Sequence, residues 1–444
     1  MVADRNKVVS AFNEENADGF DIGYSVSHNG GRTWVDMGNP PRSPDVQPFA
    51  DPRLAIDPAG NIWLTVLAKD VSDVVKIALY EMPAGSDTFH LVSLPAVASA
   101  PGFQFQPDRG RLTIARDGDG RTHFYLTYHQ YQGSPGAIQG PVVLADSTDA
   151  THWRHTTLTE PDLCEPSAPA AAPVTKGNKL YVFFHDIDKA ACTHDPDADP
   201  TVTSGREEMV TVDVKTAGVL HRTVIAPIHG VGERVDADCG GQQVIATAPD
   251  LAARNASASD PTLGPDGVLY VVWPDRPGGL GGGFGNATRI YLSYSRDGGV
   301  SWAAPKVISG PLSATHMADR FQPALTSDAH GLHTIWYERV PDPAGGPDLI
   351  RTDKADLTLA GPQTGPVVRN REQPLSTVPW QFLPEAQTGC YAGDYIQVAS
   401  NGVKVFATWG DLRNTVEAAD GTVTHDSDVF SDSWLAKGRE QEPR

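Results

Sequence analysis

The chain has 444 residues, a length that suggests about three domains unless an internal period overrides it. Its 43 glycines and 36 prolines, with 20% charged and 40% hydrophobic residues, describe a turn-rich globular chain of many short strands and exclude a disordered one. With 35 Lys and Arg against 55 Asp and Glu the net charge is −20, which makes nucleic acid or an anionic membrane a poor partner but leaves an anionic small substrate open where a few arginines concentrate in a cleft.

Taken in chain order, "MVADRNKVVS" has no apolar signal-peptide core, and no apolar run anywhere reaches the roughly 18 residues that span a membrane. "ADRNKVVSAFNEE", from Ala3, reads as the second strand of a hairpin unit, acidic at its end and without a clear first strand. Six complete copies follow: "ADPRLAIDPAGNIWLTVLAKD" from Ala50, "DRGRLTIARDGDGRTHFYLTYHQ" from Asp108, "EPSAPAAAPVTKGNKLYVFFHD" from Glu165, "SDPTLGPDGVLYVVWPDR" from Ser259, "DRFQPALTSDAHGLHTIWYER" from Asp319 and "GDYIQVASNGVKVFATWGDLR" from Gly393. Each predicts a β-hairpin turned by a short polar or Gly segment, with one or two further strands behind it. Units of roughly 55 to 90 residues that cannot bury their apolar faces alone predict four-stranded blades stacked around an axis. The expected fold is therefore all-β, a single β-propeller domain over residues 1–444, with seven blades; a six-bladed ring plus an N-terminal hairpin is the alternative. The last copy continues into "DSDVFSDSWLAK", a third strand, whereas the first begins at its second strand. The expectation is an incomplete first blade and a true N-terminus upstream, which would also account for the missing signal peptide.

Between these copies lies a second, shorter repeat. "SYSRDGGVSW" places Ser295, Asp297, Gly299, Ser301 and Trp302 at the spacing at which "SVSHNGGRTW" places Ser27, Asn29, Gly31, Thr33 and Trp34. "DSTDATHW" keeps Ser147, Asp149, Thr151 and Trp153 in a shorter turn. Asp and Asn tolerate a left-handed backbone and accept nearby N–H groups, and Gly takes positive φ freely, so each stretch is a hairpin turn. The pattern resembles the Asp box, or bacterial neuraminidase repeat, found on the outer hairpins of sialidase-like β-propellers, where it is structural. The resemblance covers the architecture of most of the chain, and it implies that Trp34 and Trp302 pack on the outer rim of their blades.

In such a propeller the loop into the first strand and the loop after the second strand open on one face. The first position supplies Asp51, Arg53, Asp108, Arg109, Glu165, Asp260, Asp319, Arg320, Asp394 and Tyr395, and the second Glu14, His129, His185, Asp186, Asp275, Arg276, Glu338, Arg339, Asp411 and Arg413. Carboxylates with interleaved arginines suit an anionic or polyhydroxylated sugar: Arg recognises a planar carboxylate, and Asp or Glu transfers protons and binds hydroxyls. The competing reading is ion pairing, because Asp275-Arg276, Glu338-Arg339 and Asp411-Leu412-Arg413 recur blade by blade. Active sialidases carry an Arg-Ile-Pro motif, two more arginines on the substrate carboxylate, an acid/base Asp, and a Tyr nucleophile assisted by Glu. Here the resemblance implies Arg53, in "PRLA", with Arg276, Arg339 and Arg413 for the clamp, Tyr395 as nucleophile, Glu338 as its helper and Asp51 as the acid. Some seven-bladed propellers are instead polysaccharide lyases, in which a His or Tyr removes the proton beside a uronate carboxylate that an Arg neutralises. His129, His185 and Tyr395 with Arg53 or Arg339 fit that chemistry.

"HDPDADP" offers Asp195, Asp197 and Asp199 as hard oxygen ligands, but it lacks a full calcium-loop pattern and reads as a solvated acidic loop, so no cofactor is expected and calcium is the alternative. Asn255-Ala-Ser and Asn286-Ala-Thr match the glycosylation acceptor, a triplet common by chance. Cys164, Cys192, Cys239 and Cys390 show no CxxC spacing, which leaves buried thiols or two disulfides, with Cys164–Cys192 and Cys239–Cys390 the favoured pairing. The combined expectation is an extracellular, monomeric exo-glycosidase of sialidase type acting on terminal sugars of glycoconjugates; the alternative is a non-catalytic glycan- or protein-binding propeller, and the third reading is a lyase. The cysteines give the first test. Intact mass after alkylation, with and without reduction, should show no accessible thiols before reduction and four after it; four thiols in the untreated protein would remove both the bridges and the argument for an extracellular home.

Overall fold

The computed structural model describes residues 1–16, 19–102, 105–116, 120–134, 137–160, 164–175, 178–187, 205–229, 233–234, 243–248, 251–254, 259–276, 287–310, 318–340, 342, 349–361, 364–368, 372–381, 396–417 and 423–436; the side chains of 15–20, 133–139, 164–175, 187, 233–234, 243–254 and 416–427 are outside the described set. Every regular element among them is a β-strand. Seven antiparallel meanders are the blades of a seven-bladed β-propeller; outside them are a two-stranded hairpin, Gln132–Ser134 with Ala137–Gln139, and a three-stranded sheet, Glu233–Arg234, Gln243–Ala248 and Leu251–Arg254. Blade 1 is Val2–Asp4, Lys7–Asn16, Gly19–Ser27 and Val35–Asp36, and blade 2 is Gln47–Ile56, Ile62–Lys69, Val75–Met82 and His90–Val97. Blade 3 is Pro107–Arg116, Thr122–Gln130, Val142–Ser147 and Arg154–Thr157, and blade 4 is Cys164–Thr175, Lys179–Ile187, Gly205–Asp213 and Gly218–Ile228. Asp260–Leu263, Leu269–Asp275, Arg289–Ser295 and Lys306–Val307 form blade 5. Blade 6 is Asp319–Asp328, Gly331–Val340, Leu349–Gly361 and Gly365–Val368, and the short Gln373–Pro374 and Trp380–Gln381 also pair with its third strand. Blade 7 is Gln397–Ser400, Lys404–Glu417 and Val423–Leu435. Blade 1 has a first strand after all: Val2–Asp4 pairs with Val9, Val8 and Lys7. Three residues are too few to show an alternating pattern, so the sequence hides it.

The chain divides into two compact units. The first, Met1–Cys192 with Glu208–Val224, holds blades 1 to 3 and most of blade 4; the second, Thr193–Glu207 with Ile225–Arg444, holds blades 5 to 7. Within each unit the cores lie between consecutive blades. Alternate residues of a strand point to opposite faces, so a middle strand feeds two cores. In Gly331–Val340, Leu332 and Trp336 join Tyr270, Val272 and Ile290 of blade 5, while Ile335 and Tyr337 join Ala407 and Trp409 of blade 7. In Thr122–Gln130, Phe124, Leu126 and Tyr128 face blade 2, and Tyr125 faces blade 4. This two-sided burial is why the middle strands read as near-continuous apolar runs.

The Ser-x-Asp/Asn turns join the third and fourth strands of blades 1, 3 and 5. Ser295 Oγ donates to Asp297 Oδ1 at 2.8 Å and accepts from Gly299 N at 2.8 Å, while Ser301 N donates to Asp297 Oδ1 at 2.9 Å. The first copy repeats this: Gly31 N donates to Ser27 Oγ at 2.9 Å and Thr33 N to Asn29 Oδ1 at 2.9 Å. Partial burial opposes charge on Asp297, but the hydrogen bonds of Ser301 and Ser295 hold its carboxyl down at about 2. Both glycines of this turn sit at positive φ, 74° and 84°, as the sequence requires.

Blades 6 and 7 are tied by a buried histidine. His333 Nδ1 lies 2.6 Å from Asp356 Oδ1 and Nε2 lies 3.2 Å from Asp328 Oδ2. Asp328 also accepts from Ser400 Oγ at 2.5 Å and Asp356 from Trp434 Nε1 at 3.2 Å, both from blade 7. Lys354, 4.3 Å from the centre of the Trp434 ring, and Asp432 complete the charged surroundings. Burial opposes charge on His333, but its two carboxylates outweigh that and raise its pKa; Asp328 is held low in turn. A raised histidine pKa contributes stability that is fully present below the unfolded value, about 6.5, and is lost as pH rises through the folded value. His333→Gln should therefore cost about 2–3 kcal/mol at mildly acidic pH, and the gap between its urea midpoint and that of the wild type should narrow as pH is raised; a gap independent of pH would show that His333 is not charged in the fold.

Candidate functional site

A repeated backbone feature positions the residues at the start of four of the seven first strands. In blades 2, 3, 4 and 6, two residues of the first strand oppose one of the second, between Ala50 and Arg53, Asp108 and Arg111, Ser167 and Ala170, and Phe321 and Ala324. In three of them the first extra residue is in the left-handed region: Asp51 at φ 55°, Arg109 at 54° and Gln322 at 48°. Pro52, Gly110 and Pro323 follow them. Such bulges bend the strand and re-aim its side chains. Here they lie beside the ends of the second strands, where the charged residues gather.

In the second unit, two of the predicted clamp arginines meet. Asp319, buried, accepts Arg276 Nη2 at 3.1 Å from the end of blade 5 and is ion-paired with Arg339 across its own blade; Thr288 N donates to it at 2.8 Å. Burial opposes the charge on Asp319, but Arg339 and Arg276 prevail and lower its pKa. The guanidinium-bearing side chains keep 14% and 22% exposure while Asp319 keeps 1%, so within the trio it is the arginines that reach the surface. Arg413 does not join them. It grips Asp411 through Nε at 2.8 Å, donates to Ser376 Oγ at 2.7 Å and stacks over Phe430. Of the repeated pairs, then, Arg276 bridges two blades and Arg339 and Arg413 pair within their own. Asp275 instead holds His229, through N at 2.8 Å and Nδ1 at 3.1 Å.

Glu338 is fully buried. Arg320 Nη2 reaches its Oε1 at 2.9 Å, and Arg351 pairs with its other oxygen. Arg351 also reaches Asp353 at 3.1 Å, and Arg320 holds Glu372 at 2.7 and 2.9 Å. Asp353 sits well above the usual carboxylate range, first because it is buried and next because it hydrogen-bonds the Glu338 carboxyl. Sequence reasoning named Glu338 and Arg320 but missed Arg351, Asp353 and Glu372. The available signal was "RTD" in a strand otherwise apolar at alternate positions: charges at i and i+2 on a core-facing row need partners.

In the first unit, Asp51 is buried within its bulge, and Arg53 lies beside Arg111 and the buried amino group of Met1. His129, opposite Asp108 in register, is fully buried, and neither ring nitrogen has a hydrogen-bond partner among the described residues. Burial, then the Arg109 charge, depresses its pKa well below 6.5, so the imidazole is neutral. His185 is buried across from Ser167, and its neighbour Asp186 takes Arg222 at 3.1 Å. Tyr395, Asp394, Cys192, Cys239, Cys390, Asp195, Asp197, Asp199, Asn255 and Asn286 lie outside the described residues, as does the side chain of Cys164.

No protein-family model and no curated protein matches the chain. Solved structures of similar fold include a Hadza microbial sialidase, Hz136, at 12% identity over 92% of this chain and 73% of that one, with a TM-score of 0.44. The phage phi92 endosialidase matches at 11% identity over 100% and 67%, TM-score 0.47. A PL25 ulvan lyase matches at 8% over 94% and 89%, TM-score 0.45. The chain thus resembles glycan-active propellers at low identity, and none of these likenesses assigns an activity or a residue.

The Arg276–Asp319–Arg339 trio has a direct test. Asp319→Ala leaves two guanidiniums facing each other and should cost about 3 kcal/mol, read as a lower urea midpoint. Adding Arg276→Met to that background should restore part of the loss. A double mutant no better than the single one would show that Arg276 does not feel Asp319.

Proposed function

We propose that the protein is an extracellular glycan-active propeller, an exo-glycosidase of sialidase type that acts on terminal anionic sugars, with Arg276 and Arg339 receiving the sugar carboxylate. The observation that carries this reading is the convergence of those two arginines, from neighbouring blades, on the single carboxylate of Asp319. Both guanidinium side chains stay partly exposed beside that buried carboxylate, and Arg matches a planar carboxylate with paired donors. A site of this sign on a chain of net charge −20 concentrates an anion where the rest of the surface repels it. In this reading Tyr395 is the nucleophile, Glu338 its helper, Asp51 the acid and Arg53 and Arg413 further contacts. The repeated Ser-x-Asp/Asn turns, read as Asp boxes, support the same superfamily.

The binding-only reading has its own support: Glu338 is closed to solvent and already paired to Arg320 and Arg351. The lyase reading draws on His129, a neutral imidazole beside Arg109. One experiment separates the three: incubation with a fluorogenic sialoside, a panel of other glycosides and a uronate polymer followed by the absorbance of an unsaturated product. Sialoside turnover is expected, with Tyr395→Phe and Arg339→Ala each costing about 10²–10³ in rate. No turnover on any substrate together with retention on a glycan array would establish the binding reading, and absorbance growth on the uronate polymer the lyase one.

A further inference from the structure

Around Glu338 the charges of the described residues are three carboxylates and two guanidiniums. Glu338, Asp353 and Glu372 bring oxygens within 4.8 Å of one another, and two guanidiniums, Arg320 and Arg351, face them. Glu372 is satisfied as an ion: it accepts both Arg320 bonds, Gly310 N at 2.7 Å and Trp336 Nε1 at 3.0 Å. The remainder is Glu338 and Asp353, each with no exposed side-chain surface, their carboxyl oxygens within 4.8 Å of each other, and Asp353 Oδ1 is buried without a hydrogen bond among the described residues. An ionised carboxylate only accepts, so two carboxyls bond directly only through a proton. Arg351 bridges both and Arg320 reaches Glu338 alone, which stabilises charge on Glu338 more than on Asp353.

We propose that Asp353 is the positioning residue of Glu338, a neutral acid at physiological pH that donates its proton in a hydrogen bond to an ionised Glu338. Register sets the geometry: Glu338 stands opposite Arg320 on the first strand and Arg351 on the third, and Asp353 stands opposite Trp336 two residues along. The charged groups facing Asp353 among the described residues are thus Glu338 from the second strand, Arg351 from its own, Arg320 from the first and Glu372 from the segment after the blade. The catalytic meaning rests on the glycosidase reading, in which Glu338 must stay ionised to take the proton of Tyr395. The shared proton does not depend on that reading: it stands on the burial and spacing of the two carboxyls and on the lack of a hydrogen bond at Asp353 Oδ1. Asp353 ionises only as pH rises through its raised value, and the pair then repels.

The test reads the proton and the activity separately. Infrared spectra at neutral pH, with carbon-13 labelled aspartate, should show the carbonyl stretch of a protonated acid in the wild type and none in Asp353→Asn, which keeps a donor for Glu338 but cannot ionise. Absence of the band in the wild type, its persistence in the variant, or a stoichiometric divalent metal found by elemental analysis would each overturn the shared proton. On the fluorogenic sialoside, Asp353→Asn should lose the alkaline fall in kcat seen in the wild type, and Asp353→Leu should lower kcat about tenfold with little change in KM. An unchanged alkaline limb in Asp353→Asn would overturn the positioning role. A wild type that turns over no sialoside while keeping the infrared band would sink the glycosidase reading and leave the proton in place.

Discussion

The middle strands Ile62–Lys69, Thr122–Gln130 and Gly331–Val340 are buried along nearly their whole length. Each must find apolar partners on two sides at once, and no single sheet can supply them. The cores therefore lie between blades, as where Trp336 reaches the blade 5 tyrosine Tyr270 while its neighbour Tyr337 packs against Trp409 of blade 7. Burying a large side chain contributes roughly 1.5–3 kcal/mol, so within each unit the contact surfaces between successive blades contribute strongly to stability. The turns have only to be short and well formed.

Polar groups at the ends of these strands face a different problem. The strand ends carry Asp319, Glu338 and Asp411 into places that are still buried, so each must bring its countercharge along or draw one from next door. Asp411 uses Arg413 two residues on, Glu338 uses Arg320 across the strand and Asp319 uses Arg276 from the neighbouring blade. In blades 2, 3, 4 and 6 a bulge in the first strand lies at the same level. An extra residue at Asp51, Arg109 or Gln322 changes which side chain faces inward at the level where charges are needed, at the cost of a backbone conformation unusual outside glycine.

Hairpins were legible because Gly, Asp, Asn and Pro have fixed local meanings. The turn around Asp297 and the two-sided strands follow directly from residue type and period. The proline or glycine in "DPRL", "DRGR" and "FQPA" was visible as well, but a bulge shows only when the facing strand is in register with it. The same limit hid Asp353: two positions after Arg351 it is one more charged residue, and only the pairing of three strands puts it against Glu338. The family resemblance implied a clamp of Arg53, Arg276, Arg339 and Arg413, yet Arg413 has a carboxylate two residues away and is taken up locally. Which partner an arginine finds is decided by reach, and reach depends on the fold.

That distinction bears on how a recurring charged position becomes a site. Where partners match one to one, as at Asp411 and Arg413, the pair is closed and offers a ligand nothing. Imbalance leaves something over. Among the described residues, two partly exposed guanidiniums meet one buried carboxylate at Asp319, where the proposed reading docks a sugar carboxylate; at Glu338, itself sealed from water, three carboxylates meet two guanidiniums, where the proposed proton sits. The two imbalances have opposite sign and occupy adjacent positions, since Asp319 and Arg320 are neighbours on one strand and Glu338 and Arg339 on the next. On the proposed reading, arginines open to solvent beside a carboxylate cluster closed to it separate anion binding from proton handling within two residues. A repeated ion-pair ladder of strictly balanced pairs would provide neither.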